Sequence, residues 1–143
     1  MQKENLLDMK HRQSPNHWGN MLSQPFIWAP FPFILIVDLL SEIYHQVCFP
    51  IYGLEKVKRS DYLIVKDRAK LEYLSFFEKV GCMYCGYVNG AFPYLKEISN
   101  RTEKYWCGIM HEKGVLKGQE HHQKLKFTEF GNRDAFDKEY GDK

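Results

Sequence analysis

The most apolar stretch of the chain is FIWAPFPFILIVDLL, at residues 26–40. Two prolines interrupt it, so a regular helix is expected to begin after the second one and to run from Phe33 to Val47. At about 100° per residue, these positions separate into two faces. The polar face holds Asp38, Ser41, Glu42, His45 and Gln46, and the apolar face holds Ile36, Leu39, Leu40, Ile43 and Val47. The pattern predicts an amphipathic helix, which Pro50 is expected to end.

Two interpretations of this helix remain open at the level of sequence. It can lie in a membrane interface, with the aromatic cluster of Trp28, Phe31 and Phe33 in lipid, or it can cover the core of a soluble domain. A simple transmembrane helix needs about 20 apolar residues, and the uncharged run that ends at Asp38 falls short of that length. The segment 26–47 is therefore expected at a membrane surface or on the domain core.

Several further elements are indicated by the rest of the pattern. DYLIVKD, residues 61–67, is a candidate strand or extended connector. Apolar positions at helical spacing precede Gly81 and predict a helix that stops there. A second helical pattern covers residues 92–109 and is expected to end by Gly114. A short element is expected at 125–130.

These elements predict a mostly α fold, namely a small helical domain with an amphipathic, membrane-interfacial candidate helix near its N-terminus. The expected organisation is a flexible polar arm at 1–20, a single helical domain at 21–130 that includes the segment 26–47, and a solvated tail at 131–143. The polar arm lacks the apolar core of a signal peptide.

Composition narrows the class of protein. The chain has 143 residues, of which 44% are hydrophobic, which is enough to bury one core and excludes general disorder. Lys and Arg number 20 against 18 Asp and Glu, without a basic stripe, so no nucleic-acid partner is expected. The 4 cysteines are too few for a disulfide scaffold. The expected location is the reducing cytoplasm, at the cytoplasmic face of the inner membrane if residues 26–47 contact lipid.

The strongest chemical pattern is the C-x-x-C pair of Cys82 and Cys85, followed downstream by Cys107 and His111 in CGIMH. Three thiolates and one imidazole form a common tetrahedral zinc set, so these four residues are the predicted metal ligands. If residues 91–111 formed one straight helix, Cys107 would lie about 24 Å from the start of that helix, and Cys85 lies just before that start. A zinc–sulfur bond is only about 2.3 Å. One shared ion therefore requires a break in the helix, and Asn100 offers an N-cap for it at Ser99–Asn100.

Without that break, the cysteines would form two separate sites. Cys82 and Cys85 would then lie near a helix N-terminus, where the dipole favours thiolates. Cys48 and His45 are the additional candidate ligands for a second site with Cys107 and His111. A dithiol redox pair and chemically quiet, buried thiols are the alternatives to a metal.

Other polar residues carry weaker signals. Glu103 lies on the same stripe as Cys107 and His111 and could orient the imidazole from behind as a hydrogen-bond acceptor, although a capping or solvent-facing role is the simpler interpretation. His121 and His122 could supply a ligand, but they are expected on the surface, because adjacent histidines in a polar segment are usually exposed. No catalytic residues are predicted.

The segments CMYCGYVNG and RTEKYWCGIMHE resemble those of a family of small uncharacterised bacterial proteins. That family carries C-x-Y-C-x-Y-x-N-G and R-T-E-x-Y-W-C-P-I-K-H segments and a stretch similar to CFPIYG, so the likeness covers roughly residues 39–112. The resemblance implies that Cys48, Cys82, Cys85, Cys107 and His111 belong to the family pattern. It also implies an apolar N-terminal segment that can enter a membrane. The chain departs from the pattern at Gly108 and Met110, where proline and lysine are usual.

The sequence as a whole predicts a small metal-binding protein with a structural or accessory role rather than an enzyme. Zinc is the expected metal, and iron or an iron–sulfur cluster is less favoured. A thiol–disulfide redox protein or sensor using Cys82 and Cys85 is one alternative, and a membrane-interface scaffold without metal is another. The candidate partners are a membrane surface, another protein and a second copy of the chain.

Overall fold

The computed structural model describes residues 17–141, which form a mostly helical protein, as predicted. The helices are α1 (His17–Trp28), α2 (Phe31–Tyr52), α3 (Phe76–Trp106), α4 (His121–Lys124) and α5 (Arg133–Tyr140). Two 3₁₀ turns, Arg59–Asp61 and Arg68–Lys70, lie between α2 and α3. Within the described range, a single isolated bridge joins Ile109 to Thr128. The chain divides into two compact units, of which the first ends at Leu39 and the second begins at Leu40.

The helix α2 is longer than its sequence pattern indicates. It begins at Phe31 and continues through Pro50 to Tyr52, so Pro50 does not end it. The next residue, Gly53, has a φ of +68°, a left-handed conformation that glycine adopts without steric penalty. The amide of Leu54 then donates to the carbonyl of Phe49 at 2.9 Å. The left-handed glycine, rather than the proline, therefore ends the helix.

The helix α3 runs unbroken for 31 residues. It begins with a capping box, in which the amide of Ser75 donates to Glu78 Oε2 at 2.8 Å and the amide of Glu78 donates to Ser75 Oγ at 3.4 Å. Gly81, which was expected to end a helix, lies inside α3. Ser99 and Asn100, where a single shared ion would require a break, are also helical. The second predicted helix therefore lies largely within α3, and the first is α-helical only from Phe76 onward.

Residues 61–67 were expected to form a strand or an extended connector. The structure has a connector there, and its residues 62–65 form a strap across α3. A Cβ atom added to Gly90 would lie 2.6 Å from the carbonyl oxygen of Tyr62, and one added to Gly86 would lie 3.0 Å from that of Ile64. In the described range no neighbouring strand pairs with this segment. Gly86 and Gly90 therefore allow the close approach of a backbone to α3.

The core of the second unit lies where α2, the strap and α3 meet. Its buried residues are Phe49, Val57, Tyr94 and Ile98. Tyr44 on α2 also makes a hydrogen bond of 2.9 Å to Thr102 on α3. The polar residue His45 faces this core and is 1% exposed, whereas Leu40, Ile43, Val47 and Ile51 are exposed. The interpretation that α2 covers the core with its apolar face is therefore wrong for this half of the helix.

The ends of the chain differ in part from the expected arm and tail. Residues 17–20 of the predicted flexible arm belong to α1, and the remainder of that arm lies outside the described residues. Within the predicted tail, residues 133–140 form α5. Lys104 Nζ donates to Tyr140 Oη at 2.9 Å, which ties α5 to the end of α3. The aromatic side chains of this segment therefore contact the folded unit.

The capping box supplies a first test of the fold. Replacing Ser75 with alanine is expected to lower the free energy of unfolding by about 1 kcal/mol, because the first turn of α3 loses its side-chain acceptor. Urea denaturation measures the change. Ser60→Ala is the matched control, because the Ser60 hydroxyl bonds only its neighbour Asp61 at 3.4 Å on the protein surface; a change within about 0.5 kcal/mol is expected. Equal losses in both variants would contradict the capping role.

Candidate metal centre

Three side chains that can each offer a metal ligand meet at the C-terminal end of α3. One donor atom from each of Glu103, His111 and His122 lies within 4.8 Å of the other two. Among the residues that the structure describes, this is the only group of at least three such side chains. Glu103 lies in the last turn of α3, His111 in the loop that follows, and His122 in α4. Three separate elements therefore converge on one point.

The carboxylate of Glu103 lies between two imidazoles. Its Oε1 is 3.2 Å from His122 Nε2, and its Oε2 is 2.6 Å from His121 Nε2. Burial raises the pKa of Glu103, but the hydrogen bonds from His121 and His122 outweigh that effect and hold the pKa below its ordinary value. Because an ionised carboxylate only accepts hydrogen bonds, both Nε2 atoms donate here.

The ring of His122 is fixed by aromatic packing. It is completely buried and stacks on Phe127, with centroids 4.3 Å apart and planes inclined by 17°. The ring of His122 also stacks on the ring of His111, with centroids 5.3 Å apart and planes inclined by 25°. The amide of Phe127 donates to the carbonyl of His122 at 2.9 Å. This tight turn explains why an apparently polar segment buries its histidines.

The loop 108–128 returns to the end of α3 and brings the ligands together. The amide of Thr128 donates to the carbonyl of Gly108, and the amide of Met110 donates to the carbonyl of Thr128, both at 2.7 Å. Lys104 Nζ also donates to the carbonyl of Lys126 at 2.8 Å. These bonds close the loop and place His111 and His122 beside Glu103, although His122 is 19 residues further along the chain.

Three buried polar atoms near this cluster have no hydrogen-bond partner among the described residues. They are Gln119 Oε1, His121 Nδ1 and His122 Nδ1. A buried polar atom without a partner typically costs about 1–3 kcal/mol. Because all three belong to residues 119–122, this short segment holds more buried donor and acceptor capacity than the protein itself satisfies.

The spacing of the cluster can be compared with that of a tetrahedral metal site. Bonds of about 2.0–2.2 Å in a tetrahedron place ligand atoms about 3.3 Å apart. The three donor atoms are within 4.8 Å, so side-chain movements on the order of 1 Å would bring them to that spacing. His121 would hold the second oxygen of Glu103, as groups behind a metal ligand commonly do.

The structure does not bring the four predicted ligands Cys82, Cys85, Cys107 and His111 together. Cys82 and Cys85 lie inside α3, and Cys107 is the residue that follows it. The helix rise separates Cys85 from Cys107 by about 33 Å. One ion cannot be shared by both ends within one chain. Cys82 and Cys85 also lie beyond the first turn of α3, where the helix dipole acts most strongly.

The additional candidate ligands have other surroundings. His45 Nε2 accepts a hydrogen bond from the amide of Val57 at 2.9 Å, and His45 Nδ1 lies 3.1 Å from Tyr94 Oη. Both ring nitrogens are therefore engaged in the core. Cys48 is a half-buried free thiol, and Cys107 is an exposed one. Neither belongs to the group formed with Glu103.

The sequence predicted His111 as a ligand, whereas it placed Glu103 behind the ligands or in solvent and set His122 aside as a surface residue. Glu103 and His111 do lie close together, but Glu103 is a candidate metal ligand here and not only a hydrogen-bond acceptor for the imidazole of His111. His121 and His122 were expected on the surface and are buried instead. Their burial depends on stacking with Phe127, and no local pattern signals that contact.

The chain was also compared with known proteins. No protein-family model, no curated protein and no solved structure matches it. The candidate site is thus defined by its own geometry, as a cluster of one carboxylate and two imidazoles suited to a metal ion.

Proposed function

We propose that this chain is a small zinc-binding protein with a structural or accessory role, in which Glu103, His111 and His122 are the ligands. The observation that carries the proposal is the convergence of one carboxylate and two imidazoles to within 4.8 Å. Zinc binds nitrogen and oxygen donors of this kind, and a water or a group from a partner would complete the tetrahedron.

A zinc ion bound by these three residues would act as a cross-link between parts of the chain. An ion held there would connect the last turn of α3 to the loop 108–128 and to α4. In the described structure only a few hydrogen bonds close that loop, including those between Gly108 and Thr128. A bound metal ion adds its binding free energy to folding when the unfolded chain lacks the site. The zinc would therefore hold the loop against α3.

Cys82 and Cys85 support a second candidate function. Cys85 is an exposed free thiol and Cys82 a half-buried one, and they lie one helical turn apart on α3. A thiol–disulfide or sensor role for this pair remains a proposal, as does a separate metal site that a second copy of the chain would complete. The proposed location is the cytoplasm, at the face of the inner membrane, where the thiols stay reduced.

Zinc titration of protein stripped with EDTA tests the main proposal. The expected result is one zinc ion per chain. His111→Gln and His122→Gln are each expected to weaken zinc binding by about 100-fold, because even groups behind a metal ligand contribute 10- to 100-fold. The His111 variant is informative even if the buried His122 variant folds poorly, because His111 is exposed.

The matched control is the double variant Cys82→Ser with Cys85→Ser, which is expected to keep its zinc affinity within about twofold. If this control lost the zinc while His111→Gln retained it, the cysteine pair would be the metal site. If the stripped wild-type protein bound no zinc, the metal-binding function would be refuted.

A further inference from the structure

The second half of α2 has an inverted arrangement of polar and apolar residues. Toward the rest of its unit it presents His45, which is 1% exposed, and Glu42, whose Oε2 accepts a hydrogen bond of 2.6 Å from Tyr94. Phe49 is buried on the same side. Polar residues normally face solvent, and here they are engaged inside the protein. The inward face of α2 is therefore satisfied by hydrogen bonds and aromatic packing.

The opposite face of this half-helix is apolar and exposed. We call it the outer stripe of α2, and it consists of Leu40, Ile43, Val47 and Ile51. Leu40 is 60% exposed and Val47 is 55% exposed. Their spacing of three and four residues puts all four on one side of the helix. A continuous apolar stripe that a folded unit leaves uncovered indicates an interaction surface.

The preceding segment extends this apolar character. The range Met21–Tyr52 is long and apolar enough to cross a membrane by length and composition, with a mean hydropathy of 1.8 in its most apolar window and 6% of that window buried. The first unit exposes large apolar side chains at consecutive positions, Leu35, Ile36 and Val37. Consecutive positions point in different directions around a helix. Apolar exposure on several sides is typical of a helix in lipid, whereas pairing with one other helix needs a single stripe.

The end of α2 carries aromatic residues suited to a membrane interface. Tyr52 stacks on Tyr105 with centroids 4.6 Å apart and meets Trp106 edge-on at 5.6 Å. Tyrosine and tryptophan are enriched where hydrocarbon meets water. This aromatic group and the outer stripe belong to the same unit of the protein.

We infer that the outer stripe of α2 is a lipid-contacting surface that seats the second unit against a bilayer. The inference rests on the membrane location proposed above and is independent of the zinc site. It specifies which face of the protein meets the lipid, and it assigns the inward, polar face of α2 to packing within the protein.

Flotation with lipid vesicles tests the inference, using the full chain and vesicles of phosphatidylcholine and phosphatidylglycerol. The wild-type protein is expected to float with the vesicles. The double variant Leu40→Glu with Val47→Glu is expected to lower the partition coefficient by at least about 10-fold, because two apolar side chains no longer enter hydrocarbon. The matched control is Ile64→Glu with Phe92→Glu, residues that are 62% and 55% exposed. It adds the same charge and is expected to float like the wild type.

The possible results distinguish two claims, that the outer stripe of α2 contacts lipid and that the protein is located at a membrane. If the wild type and both double variants floated equally, the membrane location would stand and the outer stripe would be refuted. If the wild type stayed with the soluble fraction, both would be refuted. A soluble wild-type dimer that only Leu40→Glu with Val47→Glu dissociates, measured by analytical ultracentrifugation, would assign the stripe to a second copy instead.

Discussion

Replacing Gly90 with valine is expected to lower the free energy of unfolding by about 3 kcal/mol, the upper part of the usual range for overpacking. A Cβ at this position would lie 2.6 Å from the carbonyl oxygen of Tyr62 and 3.0 Å from the Cα of Leu63. Both are backbone atoms, so the strap at 62–65 would have to move as a whole. The valine would also add two methyl groups to this contact. Chemical denaturation of the two proteins measures the loss.

Two other glycines of α3 provide graded comparisons. A Cβ on Gly81 would meet nothing within 4 Å, so Gly81→Ala is expected to stabilise the protein by about 0.5–1 kcal/mol through helix propensity. A substitution of Gly86 is expected to have an effect between those at Gly81 and Gly90, since a Cβ on Gly86 would lie 3.0 Å from the carbonyl oxygen of Ile64. If Gly90→Val were as stable as the wild type, the strap would not lie against α3 as described.

Replacing His45 with alanine is expected to destabilise the protein by about 3–5 kcal/mol. The variant would leave the buried amide of Val57 without its acceptor at 2.9 Å. It would also remove a ring that packs edge-on against Phe49, with centroids 4.6 Å apart. Urea denaturation at pH 8 measures the change, because the wild-type imidazole is neutral at that pH.

The same residue is expected to make stability depend on pH. Burial lowers the pKa of His45 from its ordinary value of 6.5, the nearby Glu42 carboxylate opposes that shift, and the positive charges of Lys56 and Arg101 add to it. Above pH 6.5, His45 is neutral in both the folded and the unfolded state, so its contribution is complete. As the pH falls below 6.5, the unfolded chain takes up the proton first, and stability declines until the folded pKa is reached.

The slope of this decline is at most about 1.4 kcal/mol per pH unit for one group. It is read from the difference between wild type and His45→Ala between pH 8 and pH 5, which removes the contributions that other groups make to both proteins. The difference should shrink toward acid pH. A difference that stayed constant over this range would show that His45 keeps its ordinary pKa, contrary to its buried position.

The local features of the chain could be predicted from the sequence, because they depend on neighbouring residues. The helical class, the two faces of α2 and the apolar character of residues 26–40 follow from periodicity alone. A helical stripe was the reason for placing Glu103 beside His111, but α3 ends at Trp106 and His111 lies in the loop that follows. Gly81 and Pro50 misled the prediction of helix ends, because α3 continues through Gly81 and α2 continues two residues past Pro50.

Only the tertiary structure decided which face of α2 turns inward and which residues form the candidate metal centre. The inward face is polar because Tyr94 on α3 and the amide of Val57 supply partners for Glu42 and His45, and those partners are far away in the chain. His122 reaches Glu103 across 19 residues because the loop closes between Gly108 and Thr128. Periodicity records which residues share a face, but the contacts that bury that face are made by distant residues, and their free energies select the fold.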